Sequence, residues 1–180
     1  MKESISVLIS EDRIIEKTGQ IAQQLTAHFK ALNDGKPIVV VGVLKGSVMF
    51  MVELIKRLDL PVELDFMVCS SYGDSTSSSG QLQIKKDLEN SIQGKHVILV
   101  EDIVDSGRTL QYLLKYLNDK SPASLILCTL LDKPSRREFD VKVDYTGFEI
   151  PDEFVVGYGL DYAQKYRNLP YIGVLRFEEE

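Results

Sequence analysis

Tryptophan is absent from this 180-residue chain, and cysteine and histidine occur only twice each. Cys69 and Cys128 share no metal-type spacing and have no second pair, which excludes a cysteine-rich metal site or a disulfide framework and suits two packing thiols in a reducing compartment. His28 and His96 stand alone, and a structural role is expected of both. Positive charge is also short: 21 Lys and Arg face 27 Asp and Glu, a net charge of −6. That balance argues against an extended nucleic-acid or anionic-membrane surface, so any phosphate must be bound locally. No apolar run reaches the ~18 residues needed to cross a bilayer. The start, MKESISVLIS, lacks the apolar stretch of a secretory signal. A cytoplasmic protein without nucleic-acid or membrane partners is expected. No repeat or composition shift divides the chain, and its length suits one well-buried core, so residues 1–180 are expected to form a single domain.

What is present is organised around residues 97–118, VILVEDIVDSGRTLQYLLKYLN. Val97 to Val100 form an apolar run typical of a strand covered on both faces. Two adjacent carboxylates, Glu101 and Asp102, end the run. A short polar loop, Asp105-Ser106-Gly107-Arg108-Thr109, follows, and from Leu110 the stripe Leu110, Leu113, Leu114, Leu117 marks an amphipathic helix. A glycine loop opening a helix offers free N–H groups to an anion, and Ser106 and Thr109 add hydroxyl donors. The carboxylates cannot also hold phosphate, so sugar hydroxyls, a divalent cation or both are left to them. A phosphorylated sugar satisfies both halves. The plainer alternative is a strand-loop-helix connection with Asp105 or Ser106 as N-cap and the acids solvated; the doubled acid weighs against it.

In chain order, Ser10 can cap a helix along which Ile14, Thr18, Ile21, Ala22, Leu25 and Phe29 share one face. Ile38 to Val43 is a second buried strand, followed by Leu44-Lys45-Gly46-Ser47 and a helix from Val48 to about Leu58. In open parallel α/β sheets ligands gather at the carboxyl ends of strands, which makes Lys45 a candidate anion ligand. Val62 to Val68 and Leu82 to Lys85 alternate as two half-exposed strands of an antiparallel pair, with Val62, Leu64, Phe66 and Val68 as the apolar set. The polar tract between them, Ser70 to Gly80, is too poor in apolar groups to offset its ordering entropy and is expected to be mobile when the site is empty. Ser124 to Leu131 is a third buried strand, ending at Lys133. Val143 to Ile150, Phe154 to Tyr158 and Tyr171 to Leu175 are further strand-like pieces. The architecture expected is α/β: a mostly parallel sheet with helices on both faces, an antiparallel hairpin carrying a flexible lid, and a small hood from the early chain and the region 151–175.

VILVEDIVDSGRT resembles the phosphoribosyl diphosphate signature of the type I phosphoribosyltransferases. VDYTGFEIPDEFVVGYGLDYAQKYRNLPYIGVL is similar to the purine-holding segment of the hypoxanthine-guanine branch of that family. The matches run from about Val39 to Leu175 and include neither a triphosphate P-loop nor a dinucleotide fingerprint. The resemblance implies transfer of phosphoribosyl from its diphosphate to a 6-oxopurine base, with Mg²⁺ as cofactor. It implies further that Glu101 and Asp102 hold the ribose hydroxyls and the metal. Asp105, Ser106, Gly107, Arg108 and Thr109 would hold the 5′-phosphate, with Asp105 also the catalytic base. Lys45 and Gly46, in a loop where the family has a non-proline cis peptide, would meet the diphosphate together with Arg167. Asp161 would approach a second Mg²⁺ and the base. Phe154 would stack on the purine, Val155 would offer its main chain, and Lys133, having only donors, would favour a 6-oxo over a 6-amino group. Ser71 and Tyr72 would belong to a lid. Arg136 and Arg137 could assist the diphosphate or lie at the surface.

The alternatives are a regulator that keeps this fold to sense phosphoribosyl diphosphate or a nucleotide, and a xanthine-preferring transferase. The net charge argues against the first, since such a regulator would need a basic face. A homodimer or homotetramer would be usual for the family.

Overall fold

The computed structural model describes residues 2–71 and 82–178. The apolar runs become the central strands of a six-stranded sheet: β2 (Ile38–Leu44), β3 (Glu63–Ser71), β4 (Leu82–Lys86), β5 (His96–Val104), β6 (Ser124–Asp132) and β7 (Tyr145–Glu149). Their spatial order is β4-β3-β2-β5-β6-β7, with only β4 antiparallel to its neighbour. The chain runs outward one way from β2 through β3 and the other way from β5 through β6 to β7. The strand order therefore reverses between β2 and β5, and the crevice outside their carboxyl ends is where such sheets bind ligands.

Both faces are covered, as the runs predict. The even-numbered Ile98 and Val100 of β5 pack with the buried stripe of α1 (Glu11–Leu32) and with Phe50, Met51 and Leu54 of α2 (Val48–Ile55). The odd-numbered Val97 and Leu99 pack with Leu110, Leu113 and Leu117 of α3 (Arg108–Asn118). All six residues read as the inner face of α1 are buried. Ser10 makes no side-chain cap; its carbonyl accepts the Ile14 N–H at 3.1 Å, leaving Glu11 and Asp12 to complement the helix dipole. Helix α2 stops at Ile55, earlier than its apolar stretch suggests.

Three further differences have physical causes. On β3, Asp65 and Met67 are the buried residues, while Leu64 is 49% exposed, the reverse of the apolar alternation. Asp65 is tolerated inside because it accepts the N–H groups of Phe66 and Glu89 at 2.7 and 2.8 Å and faces Lys86 at 3.5 Å, fixing the connection after β4. Strand β5 continues four residues past Val100 because Glu101, Ile103 and Val104 still pair with Thr129, Leu131 and Asp132 of β6. Residues 2–9 form a strand, β1 (Lys2–Ile9), paired antiparallel with β9 (Ile172–Glu178), which in turn pairs with β8 (Val155–Val156). This three-stranded sheet is the hood, built from both ends of the chain as expected.

Candidate active site

At the carboxyl end of β5 the chain turns through Asp105 and Ser106 to Gly107, whose φ of +84° allows α3 to start immediately at Arg108. The first helical bond runs from Gln111 N–H to the Gly107 carbonyl at 2.9 Å, so the preceding amides have no partner in the helix. The loop is braced from behind: Glu138 and Phe139 N–H donate to the Ser106 carbonyl at 3.0 and 3.1 Å. A Cβ on Gly107 would lie 3.1 Å from the Phe139 carbonyl. In front is a pocket of about 230 Å³ walled by Val43, Cys69 and Glu101 and lined by the loop from Asp105 through Leu110. The guanidinium of Arg108 lies over the Phe139 ring at 5.1 Å and 3.7 Å from Glu138, so its charge is engaged beside the loop. Burial raises the Cys69 thiol to about 11, which makes it a packing group.

The two adjacent acids face opposite sides of β5. Successive strand residues point to opposite faces, so Glu101 joins the α3 side and lines this pocket, while Asp102 faces the α2 side. Glu101 is 7% exposed, and desolvation, helped by the neighbouring Asp102 charge, holds its carboxyl well above the usual range. Desolvation also raises Asp102 to about 6, against the N–H of Ile103, which donates to its Oδ1 at 2.8 Å, and the attraction of Arg167. No Lys, Arg or His among the described residues lies within ion-pair distance of either acid.

The Leu44–Lys45 peptide is cis, as the resemblance implies. Gly46 packs directly on Asp102: a Cβ there would come within 1.6 Å of Oδ2. A Cβ on Gly159 would lie 1.9 Å from the Gly46 carbonyl. The loop after β2, the acid on β5 and the hood thus meet at one point where only glycine fits. Around it Arg167 donates to the Gly159 carbonyl at 2.7 Å and pairs with Asp161 at 2.7 Å, while Lys45 Nζ reaches Gln164 Oε1 at 3.2 Å. Asp161 also accepts the Gln164 N–H at 2.8 Å.

Beyond the loop from Asp105 to Thr109, Lys133 directly follows β6 with its stem buried and its ammonium between Asp105 Oδ2 at 3.9 Å and Asp152 Oδ1 at 3.8 Å. Arg136 approaches the same two acids, at 3.2 and 3.7 Å. Arg137 is mostly buried and pairs with Asp132 beneath Gly107, and among the described residues its second terminal nitrogen has no hydrogen-bond partner. Phe154 is 51% exposed and meets Tyr162 edge-on at 5.8 Å, leaving ring surface open. Leu175 N–H donates to the Phe154 carbonyl at 2.9 Å, which makes Val155 and Val174 a non-hydrogen-bonded pair. The main-chain groups of Val155 therefore point off the free edge of β8.

Candidate residues from four distant segments thus converge on the crevice between β2 and β5. Ser71 is the last residue of β3, and Tyr72 and the rest of the proposed lid lie outside the described residues. Glu101, Asp102 and Asp161 are not gathered into a ready metal cage; among the described residues no three His, Cys, Asp or Glu are. The donor set still fits Mg²⁺, which takes one or two carboxylates and completes its shell with water and substrate phosphates. Two carboxylates whose charge burial disfavours are suited to a cation and sugar hydroxyls arriving together. Asp152, Gly159 and Gln164 were not singled out from the sequence. Only Asp152, two residues before the candidate stacking Phe154, carried a usable signal.

A model of the phosphoribosyl transferase domain matches residues 10–163. The chain is 50% identical over 178 residues to a hypoxanthine phosphoribosyltransferase of Haemophilus influenzae, covering 99% of each protein. It is 51% identical over 177 residues to the hypoxanthine-guanine phosphoribosyltransferase of Bacillus subtilis, covering 98% of this chain and 96% of that one. The crystal structure of a hypoxanthine phosphoribosyltransferase from Staphylococcus aureus superposes with a TM-score of 0.88 at 50% identity, covering 95% of this chain and 91% of that one. With a matched domain spanning the central sheet and relatives similar along nearly their whole length, the chain belongs to the phosphoribosyltransferase family.

Proposed function

We propose that this protein is a purine-salvage enzyme that transfers phosphoribosyl from phosphoribosyl diphosphate to hypoxanthine or guanine, giving IMP or GMP and diphosphate. The observation that carries the choice of base is the ammonium of Lys133, held at the end of β6 beside Asp105 with both counter-charges beyond hydrogen-bond distance. Its three donors remain for an acceptor, which a 6-oxopurine has and the 6-amino group of adenine does not. The full-length relatives named for hypoxanthine and guanine support the same choice.

The chemistry follows from where charge develops. Cleavage at the anomeric carbon builds oxocarbenium character while diphosphate leaves, so the site must steady a transient cation and a departing polyanion. Glu101 and Asp102 hold the ribose hydroxyls, and the loop from Asp105 to Thr109 cradles the 5′-phosphate with backbone N–H groups and two hydroxyls. Lys45, the Gly46 backbone and Arg167 receive the diphosphate; Lys45 and Arg167 exchange Gln164 and Asp161 for it. Phe154 stacks on the base, Val155 reads its pyrimidine edge, and Asp105 takes the imidazole proton as the purine nitrogen attacks. Glu101, Asp102 and Asp161 would hold Mg²⁺ when it is bound, and it would supply positive charge to offset the leaving diphosphate. The working protein is a cytoplasmic homodimer or homotetramer of one-domain chains.

Diphosphate release measured with hypoxanthine, guanine, xanthine and adenine in turn tests the reading. Turnover of hypoxanthine, guanine or both is expected. Turnover of adenine alone would overturn it, and turnover of xanthine alone would move the protein to the xanthine-preferring alternative.

A further inference from the structure

On the purine side of the site, two cations and two carboxylates alternate around a square. Asp105 meets Arg136 at 3.2 Å and Lys133 at 3.9 Å; Asp152 turns one oxygen to Lys133 at 3.8 Å and the other to Arg136 at 3.7 Å. Asp152 lies in the turn between β7 and β8, two residues before Phe154. It has no part in the roles assigned above. From outside the square Glu138 acts on Arg136 and is itself 3.7 Å from Arg108, while Glu153, next to Asp152, pairs with Arg176 at 3.6 Å.

We infer that Asp152 is a positioning residue for transfer: by holding Lys133 and Arg136 from the side opposite Asp105, it keeps the ammonium aimed at the 6-oxo group and leaves Asp105 Oδ2, the oxygen that Arg136 does not bond, free to accept a proton. The inference rests on the proposed transferase reaction.

Lys133 is suspended between two carboxylates at nearly equal distances, neither at hydrogen-bond range. Remove one and Coulomb attraction draws the ammonium onto the other. Collapse onto Asp105 would withdraw a donor from the base and occupy a lone pair that the reaction needs. Charge through the step points the same way. As the purine nitrogen bonds to the anomeric carbon, its N–H proton passes to Asp105. The carbon–oxygen bond breaks, and its electron pair leaves with diphosphate. Asp105 is then neutral, and Asp152 is the remaining carboxylate of the square beside two cations. Without it the proton would arrive in a net charge of two rather than one.

The test uses D152N, D152E, K133Q and the double variant D152N/K133Q in steady-state kinetics across pH. The side chain of Asp152 is 55% exposed, so screening limits its reach. D152N is expected to raise KM for hypoxanthine several-fold and to lower kcat. The acid limb of its kcat profile should shift to lower pH by ~0.5 unit, equivalent to about threefold in proton affinity. Binding of phosphoribosyl diphosphate should be unchanged, and D152E should recover most of the loss. In the K133Q background the second substitution should add little to the KM defect, because the group that Asp152 restrains is gone. An acid limb that coincides with the parent's, with equal D152N effects in both backgrounds, would overturn the inference and leave Asp152 a solvated turn residue. A parent that transfers to no 6-oxopurine would instead overturn the function on which the inference rests.

Discussion

The two ends of the parallel strands treat charge in opposite ways. At their amino ends the charged groups have partners: Asp34 contacts both Lys36 and His96, His96 also bonds Ser124, and Lys95 pairs with Glu63. At the carboxyl ends, among the described residues, Glu101 and Asp102 are packed without a paired cation, Lys133 stands off from both its carboxylates, and Arg137 keeps an unpartnered nitrogen. The glycines follow the same division, since a Cβ at Gly94 would meet nothing within 4 Å while one at Gly46 would strike Asp102. Completed electrostatics at one end contribute to folding; incomplete electrostatics at the other leave buried charge uncompensated, at a standing cost in stability.

Substitutions at matched positions should break or sharpen this contrast. The largest effect is expected for Asp105→Asn, which keeps the shape of the side chain and removes proton acceptance. Single-turnover chemistry should fall by ~10²–10⁴-fold while phosphoribosyl diphosphate still binds, and an unchanged rate would remove Asp105 from the role of base. Next comes Gly46→Ala, expected to lower kcat/KM by ~10²-fold by displacing Asp102 and the diphosphate loop. Gly94→Ala is its control: a φ of +72° makes the substitution cost about 1 kcal/mol of stability, with the folded enzyme as active as the parent.

Asp102→Asn should separate stability from function. The folded carboxyl titrates at about 6 against an ordinary 3.8, so between those values the folded protein holds more protons than the unfolded chain. Its stability therefore falls as pH rises through that window. The variant should lose activity yet melt several degrees higher than the parent at neutral pH without ligands, with the gain gone by pH ~4, below which both forms of the acid are protonated. A variant less stable than the parent at neutral pH would mean that the acid is already satisfied. The smallest effect is expected at the other end. Lys36 first, and then His96, holds the Asp34 carboxyl well below its usual range, so its contribution is present above the unfolded value and lost as pH falls. Asp34→Asn should lower the melting temperature slightly at neutral pH, converge with the parent in acid and leave turnover unchanged.

Much of this layout was legible in the sequence because the strands β2, β5 and β6 are covered on both faces and announce themselves as apolar runs. The signature after β5 read correctly as strand, loop and helix for the same local reasons. What was not legible depends on distant pairing. Residues 2–9 are a strand because residues 172–178 lie beside them, and β5 outlasts its apolar run because β6 continues alongside. Asp65 inverted the alternation of β3 through bonds to a connection more than twenty residues away. In the site, adjacency gave no sign that the pleat turns Glu101 and Asp102 to opposite faces of β5. Gln164 and Gly159 gave no signal, since their meaning comes from contacts with Lys45 and Gly46, over a hundred residues distant.

The packing of Gly159 on the Gly46 carbonyl, and of Gly46 on Asp102, also bears on how this gene can vary. Any missense change of a glycine codon supplies at least one extra carbon, and at both positions that carbon would land inside van der Waals contact with backbone or carboxylate. A compensating change cannot shrink a main-chain carbonyl. Substitution is sterically easier at Asp152 and Phe154, whose side chains have solvent to move into, than at these two glycines.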